Sequence, residues 1–171
     1  MSYNIHPIIV HFPIALLFIY SIIKVLPLER WFSKVSWNYT RILFLVLGVL
    51  GAFVAGTTGE IAEELVRPNQ QLVEMHSLFA GIATWVYVAL LVGEVIPLIT
   101  PWLNSKFNWP VLTKFLFIIK KILSNNLISK LLAIVGLVAI IVTGLLGGVM
   151  VFGLTADPLA GIVLQILGIT L

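Results

Sequence analysis

Residues 131–152 read LLAIVGLVAIIVTGLLGGVMVF. The run is 22 residues long and carries no ionisable side chain. About 20 mainly apolar residues in a helix cross the hydrocarbon core of a bilayer. Lipid offers no hydrogen-bond partner to the backbone, so such a run must close its own bonds as a helix. Residues 131–152 therefore form one transmembrane span, and the same rule applied outward finds three more.

These lie at about 7–26, 42–58 and 75–96. The first stops before Pro27, and the third is expected to end near Pro97 and Pro101. A last stretch, LAGIVLQILGITL at 159–171, is apolar but too short to cross. It is expected to lie at the interface, re-enter the bilayer or cover a partner. Composition agrees with this reading. Hydrophobic residues make up 60% of the chain and charged residues 10%, where a soluble domain is about a quarter charged. The expectation is an all-α integral membrane protein, a four-transmembrane-helix bundle forming a single membrane domain over 1–171. The first apolar run has no basic leader and is long enough to stay as a span, so no cleaved signal peptide is expected. Cysteine is absent. That excludes disulfides, iron–sulfur clusters, thiolate metal sites and haem attached through CxxCH.

Charge sets the orientation. Lys24, Arg30, Lys34 and Arg41 follow span one, and Lys106, Lys114, Lys120, Lys121 and Lys130 follow span three. All fall on one side of a four-span bundle. The other side holds Arg67 with Glu60, Glu63, Glu64, Glu74 and Asp157. The positive-inside rule makes the basic side cytoplasmic and both termini external, an N-out/C-out arrangement. A bacterial cytoplasmic (inner) membrane is the expected location, with lipid as the surrounding partner and no nucleic acid. VLTKFLFIIKKIL, residues 111–123, gathers its lysines on one arc. It reads either as a basic amphipathic cytoplasmic helix before span four or as an extension of that span.

The three histidines, His6, His11 and His76, all fall on the extracytoplasmic side by this count. His11 lies about one turn into span one, and His76 opens span three at a similar shallow depth. His6 precedes Pro7, which suits the first turn of a helix, so His6 is an edge or cap residue. Five residues separate it from His11, about 140° around a helix, so the two rings do not share a face. An ionisable residue inside a span is a functional candidate by default.

Two shallow histidines on separate helices suit haem b, whose axial ligands face each other across a bundle. His11 and His76 are the expected pair, with His6 at the haem edge or in place of His11. A flat macrocycle needs small neighbours. Gly48, Ala52 and Gly56 form a stripe on span two, Gly144 and Gly148 a GxxxG on span four with Gly147 beside it, and Ala80 follows His76 by one turn. Ordinary close helix packing uses the same stripes. TTGEIAEELVRP carries span two beyond the lipid as far as Pro68. Glu60 and Glu63 there can accept a bond from an imidazole, or Glu63 can pair with Arg67 four residues on. Arg67 is also a candidate partner for a haem propionate.

The stretch HPIIVHFPIALL, residues 6–17, resembles the opening of a bacterial family of predicted four-span membrane proteins catalogued as domain of unknown function 2231. Thr58, Gly59 and Glu60 match its TG-plus-acid element, and His76 matches its histidine opening span three. The resemblance covers nearly the whole chain and implies His6, His11 and His76 as motif positions. Members look like companions of respiratory genes and cytochrome domains, which implies haem binding and electron transfer. The apolar segment after Asp157 departs from the compact family pattern.

The function expected is thus a b-type haem protein for electron transfer, alone or within a respiratory or photosynthetic complex, with a quinone or other membrane subunits as partners. An alternative is a zinc or copper site built from the histidines with Glu60, Glu64 or Met75. A third is a cofactor-free structural subunit. No nucleophilic triad is visible. The spans lack a midplane polar pathway, and Glu94 lies near the cytoplasmic end, so transport is not expected.

Overall fold

The computed structural model describes the backbone of residues 4–106 and 110–169, and the side chains of all of these except 110–112. Among them every regular element is helical. Helix α1 is His6–Val25 and a single turn, α2, is Leu28–Trp31. Then come α3 (Trp37–Val66), α4 (Gln70–Lys106), α5 (Pro110–Leu123) and α6 (Asn126–Phe152). A 3-10 turn at Gly153–Ala156 leads to α7, Ala160–Ile166. Helices α1, α3, α4 and α6 are the four long and apolar enough to span a membrane.

The four spans close into a bundle. Helix α1 packs on α3 and α6, and α4 packs on the same two helices, so α1 and α4 face each other across the middle. Leu17, Tyr20, Leu45, Val49, Tyr87, Leu90 and Ile140 form much of the core. Burial against lipid gains little from the hydrophobic effect, so close packing and hydrogen bonds must hold the helices. Both are present. A Cβ at Gly48 would fall 2.5 Å from Leu17 Cδ2, so only glycine permits this approach of α3 to α1. Tyr20 meets the edge of Tyr87 with ring centroids 6.1 Å apart, and the Ser21 and Tyr87 hydroxyls bond at 2.7 Å. Large apolar side chains such as Ile8, Phe12, Leu50, Trp85 and Ile141 stay exposed around the outside, as a lipid-facing surface requires.

The helices run past the hydrophobic limits expected from sequence. Hydropathy marks where lipid begins, whereas a helix continues as long as its backbone bonds are met. Helix α4 passes straight through Pro97 and Pro101, where an end was expected. Proline has no N–H for the carbonyl four residues earlier. For Pro97 that carbonyl belongs to Gly93, and the Ser124 hydroxyl donates to it at 3.1 Å. Residues 110–123 form a helix separate from α6, because the Asn125 side chain accepts from the N–H groups of Leu127 and Ile128 and starts a new helix there. Phe115, Phe117 and Ile118 are exposed along α5.

The segment 159–171 covers its own bundle. Leu164 and Ile169 pack with Ala160 against Leu72 of α4 and Leu146 and Val149 of α6. The Gln71 amide reaches the Gly168 carbonyl at 3.4 Å. The last two residues of that segment lie outside the described residues.

Candidate functional site at the histidine end

Pro7 sits in the first turn of α1, where its missing N–H leaves no intrahelical bond unmade. This places His6 at the helix edge, half-buried, facing α3. Its Nδ1 lies 3.0 Å from Thr58 Oγ1. The Thr58 hydroxyl hydrogen goes to the Ala55 carbonyl, so Thr58 accepts and His6 Nδ1–H donates. The next residue, Gly59, clears space for the ring: a Cβ there would lie 3.2 Å from His6 Cε1. The Thr58-Gly59 element thus has a direct physical partner in the opening motif.

His76 is held in a similar way on the other side of the bundle. Its Nδ1 is 3.0 Å from the carbonyl of Thr143 on α6. A carbonyl can only accept, so Nδ1 carries the proton. That carbonyl also faces its own helix bond to residue 147, and its second lone pair serves the imidazole. Gly147 makes this reachable, since a Cβ there would lie 3.3 Å from His76 Cε1. Neither Thr143 nor Gly147 is expected from sequence as a histidine partner. The signal present was a lone hydroxyl residue in span four, four before a glycine, but its backbone rather than its side chain makes the contact.

His11 is exposed on α1, with Nδ1 against the Pro7 carbonyl one turn back. All three imidazoles therefore donate through Nδ1, and among the described residues no hydrogen bond engages an Nε2. This is the tautomer that offers an Nε2 lone pair to a metal, with the other nitrogen fixed by a second partner. His6 and His76 lie close enough to interact electrostatically. The expected pair was His11 with His76; His6, expected at the haem edge or in place of His11, is the histidine of α1 that is half-buried.

The remaining candidates fall around this pair. Gly56 is exposed, and a Cβ there would meet nothing within 4 Å. Ala80 is half-buried one turn after His76, its carbonyl accepting from Thr84 at 2.8 Å. Gly144 is likewise open, while Gly148 faces Ala156. Arg67 ends α3 in the left-handed conformation, φ 48°, with its N–H on the Glu63 carbonyl. Leaving the helix there removes the four-apart geometry that a Glu63–Arg67 pair needs, and among the described residues Arg67 makes no ion pair. Glu60, Glu63 and Glu64 are exposed. Met75 packs against the apolar cluster under α7. Among the described residues no three His, Asp or Glu side chains converge to hold a metal ion.

A family described as predicted membrane protein (DUF2231) matches residues 2–157. The chain belongs to this family. The match takes in His6, His11, Thr58, Gly59, His76, Thr143 and Gly147, and it ends at the turn into the apolar tail. No curated protein and no solved structure matches the chain. In this DUF2231 chain the two histidine-bearing helices are thus each tied to a different neighbour, α1 to α3 and α4 to α6.

Proposed function

We propose that this membrane protein binds haem b at its histidine end and serves electron transfer, alone or as a subunit of a respiratory or photosynthetic complex. The observation that carries the reading is the pair of half-buried imidazoles, His6 and His76, each donating through Nδ1 and each with an unengaged Nε2. Haem needs only two protein ligands, because the macrocycle supplies the other four. A zinc or copper site needs three or four converging side chains, so the same donor set supports haem better than zinc or copper.

His76 and His6 would hold the haem, with His11, on the same helix, as the alternative to His6. The Thr143 carbonyl fixes the His76 ring and raises the basicity of its Nε2. Thr58 does the same for His6. Gly147 and Gly59 hold the rings against α6 and α3. Arg67 is placed in sequence to meet a propionate from the end of α3. Held by two histidines, the group would supply one-electron transfer. With the histidines at one end only, electrons pass to a quinone or a neighbouring subunit at that end, the extracytoplasmic side of a bacterial inner membrane by the distribution of lysine and arginine.

A cofactor-free structural subunit is favoured by one specific fact: the same Nδ1 bonds already staple helix to helix. One measurement separates the two. Protein purified from haem-replete cells is scanned oxidised and then reduced. The haem reading expects a Soret band that His76→Ala abolishes and that either His6→Ala or His11→Ala weakens. A colourless protein, or full pigment in all three variants, leaves the structural reading.

A further inference from the structure

At the opposite end of the bundle the charged side chains form a second constellation. Lys24 Nζ lies 2.7 Å from Glu94 Oε1, across the bundle from α1 to α4. Arg41, near the start of α3, sends Nη1 to Glu29 at 2.9 Å and Nη2 to Asn38. Its Nε is 3.9 Å from Glu94 Oε1, beyond hydrogen-bond distance. That Nε is fully buried and has no acceptor. Lys24, Arg41 and Glu94 are each about 15% exposed at the side chain.

These groups line a cavity of about 200 Å³ together with Leu123, Ser124 and Ser129. Its volume is that of about seven waters in the liquid. Two cations face one carboxylate, so the lining carries a net charge of one positive. Glu29, the other acid on Arg41, is exposed and outside the lining. A buried donor without an acceptor is costly, and the missing partner is an acceptor oxygen. The hydroxyl hydrogens of Ser124 and Ser129 go to the carbonyls of Gly93 and Asn126. With their hydrogens so committed, these two lining hydroxyls can act only as acceptors, which suits a ligand that bears hydroxyls as well as negative charge.

We propose that this cavity binds a phosphate-type oxyanion through Arg41 Nε and Lys24, and that its source in the membrane is the phosphoglycerol headgroup of an anionic lipid. Basic pockets between spans are a recurring way of holding such headgroups. Helix α5 stands beside the cavity: Leu123 is its last residue and a lining residue, and Lys114, Lys120 and Lys121 lie along it. Its exposed Phe115, Phe117 and Ile118 seat it in the interface, where anionic headgroups gather around the lysines. The cavity accordingly lies next to a helix that would gather its ligand.

The test is native mass spectrometry of the full chain with phosphatidylglycerol and phosphatidylcholine, repeated with inorganic phosphate as competitor. Wild type is expected to bind phosphatidylglycerol preferentially. Arg41→Gln removes the orphan donor and weakens that binding roughly tenfold. Glu94→Gln removes the competing carboxylate and strengthens it. Lys34→Gln, exposed between α2 and α3 and outside both the cavity and α5, removes the same charge and leaves it unchanged. The opposite signs for Arg41 and Glu94 separate an anion site from loss of folding, which would weaken both. Displacement by millimolar inorganic phosphate assigns the site to the free anion, and resistance to it assigns the headgroup. Equal affinity for the two lipids with no phosphate binding overturns the proposal, as does equal weakening by Arg41→Gln and Lys34→Gln.

Discussion

The Ser124 hydroxyl donates to the Gly93 carbonyl at 3.1 Å, replacing the N–H that Pro97 cannot offer. A residue outside α4 thereby completes the hydrogen bonding of α4 at its proline. The repair predicts a double-mutant result. Ser124→Ala alone is expected to cost about 1 kcal/mol, one unmade bond in a nonpolar setting. In a Pro97→Ala background the new N–H reaches Gly93, and Ser124→Ala should then cost markedly less. Unfolding midpoints of the four proteins in one detergent check this, and additive losses would refute it.

The approach of α1 to α3 at Gly48 predicts sharp intolerance of bulk. Gly48→Val drives atoms into Leu17 and should destabilise by about 1–3 kcal/mol. Leu17→Ala should restore part of that loss. Gly56→Ala, eight residues along the same stripe, meets open space and should be near neutral. Thermal unfolding of these variants measures the contrast.

Gly147 and Gly144 look interchangeable in sequence but not in structure. Gly147→Val displaces the His76 ring and should cost about 1–3 kcal/mol. Gly144→Val should stay within about 0.5 kcal/mol. On the haem reading, Gly147→Val also loses the Soret band while Gly144→Val keeps it. The stability contrast holds whether or not the protein is coloured.

Glu94 is the shared counter-ion of Lys24 and Arg41. Glu94→Leu leaves the shielded Lys24 without a carboxylate, while Arg41 keeps Glu29, and should cost about 3 kcal/mol. Adding Lys24→Met should recover more than half, because one unpaired charge is then gone. Denaturant or thermal titration of single and double variants checks the recovery.

The four spans were legible because lipid imposes a length and a polarity that a reader can count. Their true ends were not, since Trp37–Val66 and Gln70–Lys106 continue wherever hydrogen bonds are met. That His6 opens its helix and that His76 lies near the start of the third apolar run was legible from Pro7 and from hydropathy. Their partners were not. His76 is bound by a backbone carbonyl, which every residue owns, so Thr143 carries no distinguishing letter. Glu94 looked peripheral because its position in span three is close to the end. Its importance comes from Lys24 and Arg41, which only the closed bundle brings to it. Thr58 and Gly59 were visible as a motif, and the fold supplies the reason, a threonine oxygen and a cleared space for one ring.

The Lys24–Glu94 bond joins residues 70 positions apart. A ribosome finishes Lys24 long before it reaches Glu94, and α3 is threaded into the bilayer in between. During that interval the end of α1 has no carboxylate of α4 to hold it, and the ammonium must rest at the headgroup boundary. The ion pair thus belongs to the assembled bundle and can form only once the third span has been made and packed against the first.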